Sequence, residues 1–285
     1  MPRMYRLVVC TALFVALVAT DIAKKANEAH AERLVLSNRS VSCGAANRGK
    51  LNNGVRLPAK GAGYVIPGHW LKRNYRYGSQ QLVSLIKRAA RTVARSHPGA
   101  ILGVSDLSKK NGGTLYNHQS HQSGRDVDLH YYAVDRKNRP FMPDKYMPHY
   151  LYNGRAVYAR KMGRVPERFF DLARNWAFVK ALLTDRSANV THIFASYQIK
   201  SWLLKYAKQK RASRALISRM HKVIMQPSDS GAHNDHMHVR VGCSHTDIRL
   251  GHCRRDNWPT SHLRKRRKGK IRLHYWRKCP SKTNS

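Results

Sequence analysis

A chain of 285 residues, 42% of them hydrophobic, is long and apolar enough to bury a sizeable core, which excludes a protein disordered from end to end. The formal net charge is +39, because 54 lysines and arginines face only 15 acidic residues. This balance predicts an anionic partner, which is a nucleic acid, an acidic membrane surface or a polyanionic cell-wall polymer.

The N-terminus has the pattern of a secretory signal peptide. Arg3 and Arg6 precede an apolar run, Leu7–Ala19, that is too short to span a bilayer comfortably. The segment Ala29–Ala31 offers a cleavage site, so residues 1–31 are predicted to be the signal. The protein is therefore expected in the periplasm, where a membrane surface or a wall polymer outranks nucleic acid, and no nucleic-acid partner is expected.

Hydrophobic periodicity predicts the first regular elements of the exported part. Apolar residues recur at helical spacing from Gln80 to Arg95, and His97–Gly99 ends this helix. Ala100–Val104 is predicted to be a strand, and Asp126–Ala133 a second strand with alternating character. Between the two strands lies a polar, glycine-rich loop, NGGTLYNHQSHQSGR.

The second half of the chain mixes helices and strands without a regular βαβ repeat. Helices are predicted at Phe169–Leu183 and Gln198–Lys208, with Arg214–Val223 extending the helical run, and strands at Val190–Ala195 and His236–Val241. This order predicts an α+β fold with a central, mostly antiparallel sheet flanked by helices. Since no repeat or long linker interrupts them, residues 32–258 are predicted to form a single domain.

Residues 259–285 are predicted to be a basic C-terminal tail. The segment His262–Lys278, HLRKRRKGKIRLHYWRK, concentrates the positive charge. Such a run is either a solvated tail or a patch that associates electrostatically with the wall or a membrane surface.

The cysteines predict a disulfide framework. Removal of the signal leaves Cys43, Cys243, Cys253 and Cys279, an even number in an exported chain, for which three pairings are possible. The short spacing favours a local bridge between Cys243 and Cys253. Cys43 would then pair with Cys279 and tie the mature N-terminus to the tail.

Two histidine motifs suggest a metal site. In HNDHMHVR, His236 and His238 begin a strand and share one of its faces, because side chains two residues apart point the same way. In HQSHQSGRDVD, His121 precedes Asp128 by seven residues. Two histidines and one carboxylate leave a coordination position for water, which is typical of catalytic zinc. Iron and copper also suit these ligand types, whereas the absence of C-x-x-C disfavours a cysteine-rich structural zinc site.

The sequence disfavours a glutamate as the general base of such a site. The helical H-E-x-x-H pattern is absent, and of only three glutamates Glu28 and Glu32 lie in or beside the signal. His236, on the same strand face as His238, is the best candidate, and His233 could assist it or bind substrate.

The same motifs resemble a known family. NHQSHQSGRDVDL together with AHNDHMHVRVGC is similar to the penicillin-insensitive murein endopeptidases, which belong to a wider group of zinc peptidases with lysostaphin, the D-Ala-D-Ala metallopeptidases and the hedgehog domain. The resemblance extends through GVSDLSKKNGG and VTHIFASYQIKSWL and covers roughly Cys43 to Cys253.

The resemblance implies a role for each matched residue. The core zinc ligands would be His121, Asp128 and His238. His236 matches the first histidine of the H-x-H signature, His233 the histidine before it, and His118 a further histidine near the metal, in an auxiliary role. Family members carry an Asp-Gly-x-His turn proposed to bind additional metal, where this chain has Asn153–Ala156, which puts a second metal in doubt.

The activity that the resemblance implies is hydrolysis of a peptide cross-link in peptidoglycan, the D-alanyl to meso-diaminopimelyl bond. Such a metalloprotease would be independent of β-lactams, because those drugs acylate a serine. Arg125 and Arg240 lie beside the motifs and are candidates to meet a substrate carboxylate, with incidental surface charge as the alternative.

Two rival functions remain open at this point. A zinc D,D-carboxypeptidase or an L,D-endopeptidase would use the same core ligands and differ only in the substrate pocket. A non-catalytic cationic wall-binding protein, with a structural metal or none, would use the tail. The complete set of ligands argues against this second rival.

Overall fold

A computed structural model describes residues 39–143, 145–158, 167–228 and 230–254, together with Lys24, Asn27 and Cys279. The fold described below is that of the unit that begins at Ser40. The predicted signal (1–31) and basic tail (259–285) lie outside the described residues, apart from Lys24, Asn27 and Cys279, so both stay predictions.

The described residues contain six helices. They are α1 (Gly68–Arg73), α2 (Gln80–Ser96), α3 (Leu172–Thr184), α4 (Tyr197–Gln209), α5 (Arg214–Val223) and α6 (His245–Arg249). None of these helices combines the length and the apolar character that a membrane span requires.

Sixteen mostly short strands complete the regular structure of the same residues. They are β1 (Val41–Ala45), β2 (Arg48–Asn52), β3 (Val55–Arg56), β4 (Lys60–Gly61), β5 (Tyr64–Val65), β6 (Tyr77–Gly78), β7 (Leu102–Gly103), β8 (Asp126–His130), β9 (Ala133–Val134), β10 (Pro140–Phe141), β11 (His149–Tyr150), β12 (Ala156–Val157), β13 (Phe169–Phe170), β14 (Val190–Phe194), β15 (Ile224–Met225) and β16 (His236–Val241).

The largest sheet has four strands in the order β15-β14-β16-β8. Only β15 runs parallel to its neighbour, and the other two pairings are antiparallel. The remaining sheets have two or three strands each and are mostly antiparallel. The predicted α+β fold with a mostly antiparallel sheet is therefore confirmed.

The core lies between this sheet and the helices. Helix α2 buries Leu82, Leu85 and Ile86 and packs against α3, which in turn contacts α4 and α5. Its start is fixed by Ser79, whose hydroxyl accepts a hydrogen bond from the backbone N–H of Leu82 at 3.3 Å. From the sheet, Val239 is fully buried in the same core. The sheet is thereby held rigidly behind the polar side chains of its outer face.

Several predicted elements agree closely with the structure, and three need correction. The strand His236–Val241 and the helix Arg214–Val223 have the predicted bounds. The helix predicted at Phe169–Leu183 starts later, because Phe169 and Phe170 pair with β9 as a strand and Asp171 caps α3 at the backbone N–H of Arg174. The strand predicted over Ala100–Val104 is shorter, Leu102–Gly103, and Val104 forms an isolated antiparallel bridge with Leu129.

The strand predicted over Asp126–Ala133 is also divided. It ends at His130, and the next strand, β9, begins at Ala133 and belongs to another sheet.

Both disulfides have the pairing that the sequence favoured. Cys43 is joined to Cys279, and Cys243 to Cys253, which lie 236 and 10 residues apart in the chain. The first bridge anchors Cys279 to β1, and the second closes the turn that follows β16 around α6.

Candidate metal centre

Two neighbouring strands carry half of the candidate centre. In the antiparallel pair of β8 and β16, Asp128 lies directly opposite His238, and His130 opposite His236. Residues directly opposite each other in such a pair have Cβ atoms about 5 Å apart, so a carboxylate and an imidazole meet here without any distortion of the sheet. The register of two strands more than a hundred residues apart thus brings the two motifs together.

The loop before β8 supplies the other half. His121 has φ +65° and Gly124 has φ +71°, both in the left-handed region. A Cβ at Gly124 would approach the side chain of Leu51 to 2.7 Å, so glycine is required at this turn. The Ser108 hydroxyl donates to the His121 carbonyl at 2.5 Å and accepts from the Gly124 N–H at 3.1 Å. These contacts turn the His121 ring toward β8.

Four imidazoles surround the carboxylate of Asp128. One Asp128 oxygen, Oδ1, lies 3.2 Å from Nδ1 of His238, 3.3 Å from Nε2 of His121 and 3.6 Å from Nε2 of His236. The other oxygen, Oδ2, lies 3.6 Å from Nδ1 of His118. The shared strand face of His236 and His238 is the one that the alternation predicts.

The outer nitrogen of each ring is held by an oxygen of the protein. The contacts are His121 Nδ1 with the Leu107 carbonyl at 2.7 Å, His238 Nε2 with Asp126 at 2.9 Å, His236 Nδ1 with Asp235 at 2.9 Å and His118 Nε2 with Asp106 at 3.0 Å. Since carbonyl and carboxylate oxygens only accept, each outer nitrogen donates a proton. In the neutral rings, every inner nitrogen therefore directs a lone pair at Asp128.

A positive charge must lie between these lone pairs and the carboxylate. Among the described residues, Nε2 of His121 and Oδ1 of Asp128 are buried side-chain atoms without a hydrogen-bond partner, although they are only 3.3 Å apart. Two acceptors at this distance repel unless a proton or a metal ion lies between them. The ligand atoms of His118, His121 and Asp128 lie within 4.8 Å of one another, which allows them to hold a metal ion.

The hydrogen bonds of the outer nitrogens also support a metal ion at this position. A histidine that binds a metal commonly donates its other N–H to a carboxylate or carbonyl, which fixes the tautomer and orients the ring. All four rings meet that condition. The donor set of imidazoles and one carboxylate suits zinc, and it also suits iron or copper.

The acidic groups stay ionised inside the cluster. Burial favours a raised pKa for Asp128, but the charges of His121 and His236 outweigh it and hold this pKa well below its ordinary value. Asp126 is fully buried, and Arg240 and His238 lower its pKa in the same way. Both carboxylates are thus available as anions, one toward a metal and one toward the ring of His238.

Without a metal, the cluster holds protons instead. Burial favours a lower pKa for His236, but Asp128 and the hydrogen bond to Asp235 outweigh it and raise the pKa to about 9. The pKa of His238 is also raised, because Asp126 and Asp128 oppose the effect of its burial. A metal ion would compete with these protons for the inner nitrogens.

His233 lies beside the cluster. Its ring centroid is 4.7 Å from that of His236, and its backbone has φ +54°. Burial, together with the neighbouring His236 and His238, lowers its pKa to about 4, so the ring is neutral near pH 7. The hydroxyl of Tyr131 and the N–H of Ser196 both donate to its carbonyl, at 3.0 and 3.2 Å, and fix the loop that carries it.

The structure brings together the six predicted metal and catalytic residues, with one difference in grouping. His118, expected in an auxiliary role, belongs to the compact group with His121 and Asp128, whereas His238 lies beside that group, with Nδ1 near Asp128 and its ring against that of His121. The assignment of three core ligands among these four residues stays a prediction.

The two predicted substrate arginines have partners within the protein. Arg125 is 1% exposed and donates to the Ser123 hydroxyl at 3.2 Å. Arg240 pairs with Asp126 at 2.5 Å and lies over the ring of Phe194. Contact of either arginine with a substrate carboxylate stays a prediction.

Three carboxylates of the centre received no role from the sequence. Asp106 holds His118 and also pairs with Arg73 at 3.0 Å, and Asp126 and Asp235 hold the two histidines of β16. Two signals could have found them. Asp126 alternates with Asp128 along the strand, and Asp235 directly precedes His236.

The turn at Asn153–Ala156 connects β11 and β12. The Asn153 side chain accepts from the N–H of Arg155 at 3.0 Å, and Gly154 has φ +78°. The role of this turn is therefore to close a tight hairpin, and the number of metals bound stays a prediction.

Comparison with known proteins identifies the family. The family profile described as penicillin-insensitive murein endopeptidase matches residues 42–267. A penicillin-insensitive murein endopeptidase of Haemophilus influenzae is 28% identical over 202 residues, which are 70% of this chain and 63% of that protein. The chain thus spans slightly less than two thirds of the length of this relative. Because the profile match covers well over half of the chain and includes both histidine motifs, the chain belongs to the penicillin-insensitive murein endopeptidase family.

Proposed function

We propose that this chain is an exported, zinc-dependent D,D-endopeptidase that hydrolyses D-alanyl–meso-diaminopimelyl cross-links of peptidoglycan and is insensitive to penicillin. The observation that carries the proposal is the buried pair of Nε2 of His121 and Oδ1 of Asp128, two ligand atoms 3.3 Å apart that require a positive charge between them. Family membership supports the substrate class. The donor set supports zinc.

His236 is the best-placed catalytic group. Its side chain is 22% exposed, against 17% for His118, 9% for His238 and 1% for His121, so it is the most exposed of the four rings around Asp128. Asp235 holds the proton on Nδ1, which leaves Nε2 to take a proton from the attacking water. In its protonated form, the same Nε2 donates to the oxyanion of the scissile carbonyl.

The metal ligands in this proposal are His121, Asp128 and His238, with His118 in an auxiliary position. Zinc bound there supplies Lewis-acid polarisation of the scissile carbonyl and of the attacking water. His236, whose pKa is about 9 without a metal, becomes a neutral base once a second positive charge lies near Asp128.

Insensitivity to penicillin follows from the reaction type. Penicillin acylates an active-site serine, whereas hydrolysis by a base-activated water forms no covalent acyl intermediate. His233 is neutral at pH 7 and lies beside His236, where it assists the proton transfer or contacts the peptide.

The proposed location is the periplasm, reached through the predicted signal at residues 1–31. The net charge of +39 supports an anionic substrate, and peptidoglycan carries carboxylates on its stem peptides. The basic tail at 259–285 is proposed to add an electrostatic association with the wall or membrane surface.

Digestion of purified diaminopimelate-type peptidoglycan in the presence of penicillin tests the proposal. Wild type, a chelated sample and His238→Ala are compared, and the muropeptides are separated by chromatography. We expect the wild type to convert cross-linked dimers into monomers, and both chelation and the substitution to abolish this conversion.

Other product patterns would contradict the proposal in distinct ways. Release of terminal D-alanine from intact dimers would identify a D,D-carboxypeptidase, and cleavage at an L,D bond would identify an L,D-endopeptidase. Tight binding to the sacculus without any product would identify a cationic wall-binding protein.

A further inference from the structure

A second surface feature lies next to the metal centre. Helices α4 and α5 border a groove of about 390 Å³, which we name the basic groove, lined among others by Tyr197, Lys200, Lys205, Lys208 and His221. The groove has a marked charge, because residues 186–228 contain nine lysines and arginines and no aspartate or glutamate. A groove of this composition attracts anions.

The basic groove begins at the loop that carries His233. Ser196 caps α4 and donates its backbone N–H to the His233 carbonyl at 3.2 Å. Tyr197, the first residue of α4, is 67% exposed at this junction. With a rise of about 1.5 Å per residue, the helix carries the lining from Tyr197 to Lys208 over about 16 Å. The face of α4 that lines the groove thus starts beside the loop that carries His233.

A hairpin contacts the start of α4. The side-chain amide of Gln198 donates to the Leu151 carbonyl at 2.9 Å, which places the β11–β12 turn against the start of α4. The next residue of this turn, Tyr152, is 87% exposed. The N–H of Tyr150 in the same hairpin donates to the carbonyl of Asn234, beside the catalytic histidines. Tyr197 in the groove and Tyr152 on the turn that contacts the start of α4 are therefore two exposed tyrosines on separate elements.

The lysines of the groove differ in their role. The ammonium of Lys200 donates to the His221 carbonyl at 3.0 Å and so joins α4 to α5. Lys205 and Lys208 are exposed, and their side chains are not required to hold the helices together. These two residues can therefore be changed without loss of the fold.

We propose that the basic groove binds the part of the polymeric substrate that is not cleaved, a peptidoglycan strand whose carboxylates contact Lys205 and Lys208 and whose sugar rings pack on Tyr197 and Tyr152. The inference rests on the proposed function and adds a binding surface to it. A tyrosine ring offers an apolar face to a sugar and a hydroxyl to water, which suits both exposed positions. Charge complementarity supports the carboxylate contacts.

The test measures binding separately from cleavage. The double variant K205Q/K208Q and the matched control R91Q/R95Q, which removes two exposed charges from α2, are compared by co-sedimentation with sacculi free of covalently attached phosphate polymers. A His236→Ala background prevents cleavage during the assay. We expect K205Q/K208Q to bind roughly 30-fold more weakly, because each of the two lysines adds to the affinity for an anionic surface, whereas the control binds like the parent protein.

Tyr197→Ala and Tyr152→Ala should each weaken binding as well, and K205Q/K208Q in the active protein should raise KM while leaving kcat unchanged. Equal binding of K205Q/K208Q and its parent, or an equal loss in the control, would overturn the proposal. Absence of binding to sacculi free of phosphate polymers would overturn the choice of ligand.

Failure of the proposed function gives a different pattern. In that case the active protein releases no muropeptides, although binding still depends on Lys205 and Lys208. Cleavage with normal KM in K205Q/K208Q would overturn the proposal that the basic groove binds substrate, and it would leave the proposed function in place.

Discussion

The metal centre gathers four of the 15 acidic residues of the chain, whereas the 43 residues from 186 to 228, which include the residues that line the basic groove, contain none. The four are Asp106, Asp126, Asp128 and Asp235. In a protein with a net charge of +39, anions concentrated at one place create a local site for a cation. The groove, by contrast, is positively charged, like the chain as a whole.

The two regions also differ in burial, which decides how each uses its charge. Asp126 and Asp128 are 0% and 5% exposed and act at short range on fixed rings, so small changes there should have large effects. Lys205 and Lys208 are exposed and screened by salt, so each contributes little and several are needed. A single substitution in the centre should therefore have a large effect, whereas the lysines of the groove should each add a small contribution to binding.

The largest effect is expected from Asp128→Asn. The amide lacks the negative charge that faces four imidazoles, so the metal should be lost. The cleavage rate should then fall by more than roughly 100-fold, which is the loss typical of removing a group that only orients a metal ligand. Rates of dimer cleavage measured at equal protein concentration check this. Retention of a tenth or more of the wild-type rate would show that Asp128 is not essential.

A smaller loss is expected from Asp235→Asn, which replaces the charged acceptor for Nδ1 of His236 by a neutral amide oxygen. Activity or metal affinity should fall by about 10- to 100-fold. Since Asp235 raises the pKa of His236 to about 9 in the metal-free protein, this pKa should also fall in the variant. An NMR titration of the metal-free variant checks this. Asp185→Asn, which removes the partner of Arg88 in another part of the fold, is the control and should leave that pKa unchanged.

The pH dependence of stability should distinguish the centre further. The pKa of His236 is raised from 6.5 to about 9 on folding without metal, so its protonation stabilises the folded state fully below pH 6.5 and this contribution is lost as the pH rises through 9. Urea unfolding of metal-free wild type and His236→Gln should therefore give a difference in unfolding free energy that is large at pH 6 and small at pH 10. A difference that grows with pH would contradict the raised pKa.

The smallest effect should come from salt, which acts on the groove and spares the centre. Raising the salt concentration from about 0.1 M to about 1 M shortens the Debye length from about 10 Å to about 3 Å. Binding to sacculi should weaken several-fold, while the zinc content of the protein stays constant, because the ligands are buried. Loss of zinc with added salt would show that the centre is exposed and loosely held.

Local patterns were enough to predict much of the fold. The alternation in HMHVRV gave both the bounds of β16 and the shared face of His236 and His238, because side chains of a strand alternate with a period of two. The helix after β13, α3, was predicted to start too early for the same local reason. Phe169 and Phe170 continue the apolar pattern of α3, but pairing with β9 takes them into a sheet.

Long-range pairing decided what the sequence could not predict. The register that sets His238 opposite Asp128 joins strands 110 residues apart, and no local pattern encodes it. Asp106 likewise reaches His118 only because the intervening loop folds back on itself. The ligand types were therefore predictable from the motifs and the family resemblance, whereas the carboxylates that hold each ring depended on tertiary structure.

The proposed function depends on a metal ion among the imidazoles around Asp128, so the decisive measurement is the metal content of the protein. Purified wild type and Asp128→Asn would be loaded with zinc, desalted and analysed by elemental mass spectrometry, with protein concentration measured in the same samples. We expect about one tightly held zinc ion per wild-type chain and a much lower zinc content in the variant. Cleavage of peptidoglycan by wild-type protein free of any metal, or equal zinc retention in Asp128→Asn, would contradict it.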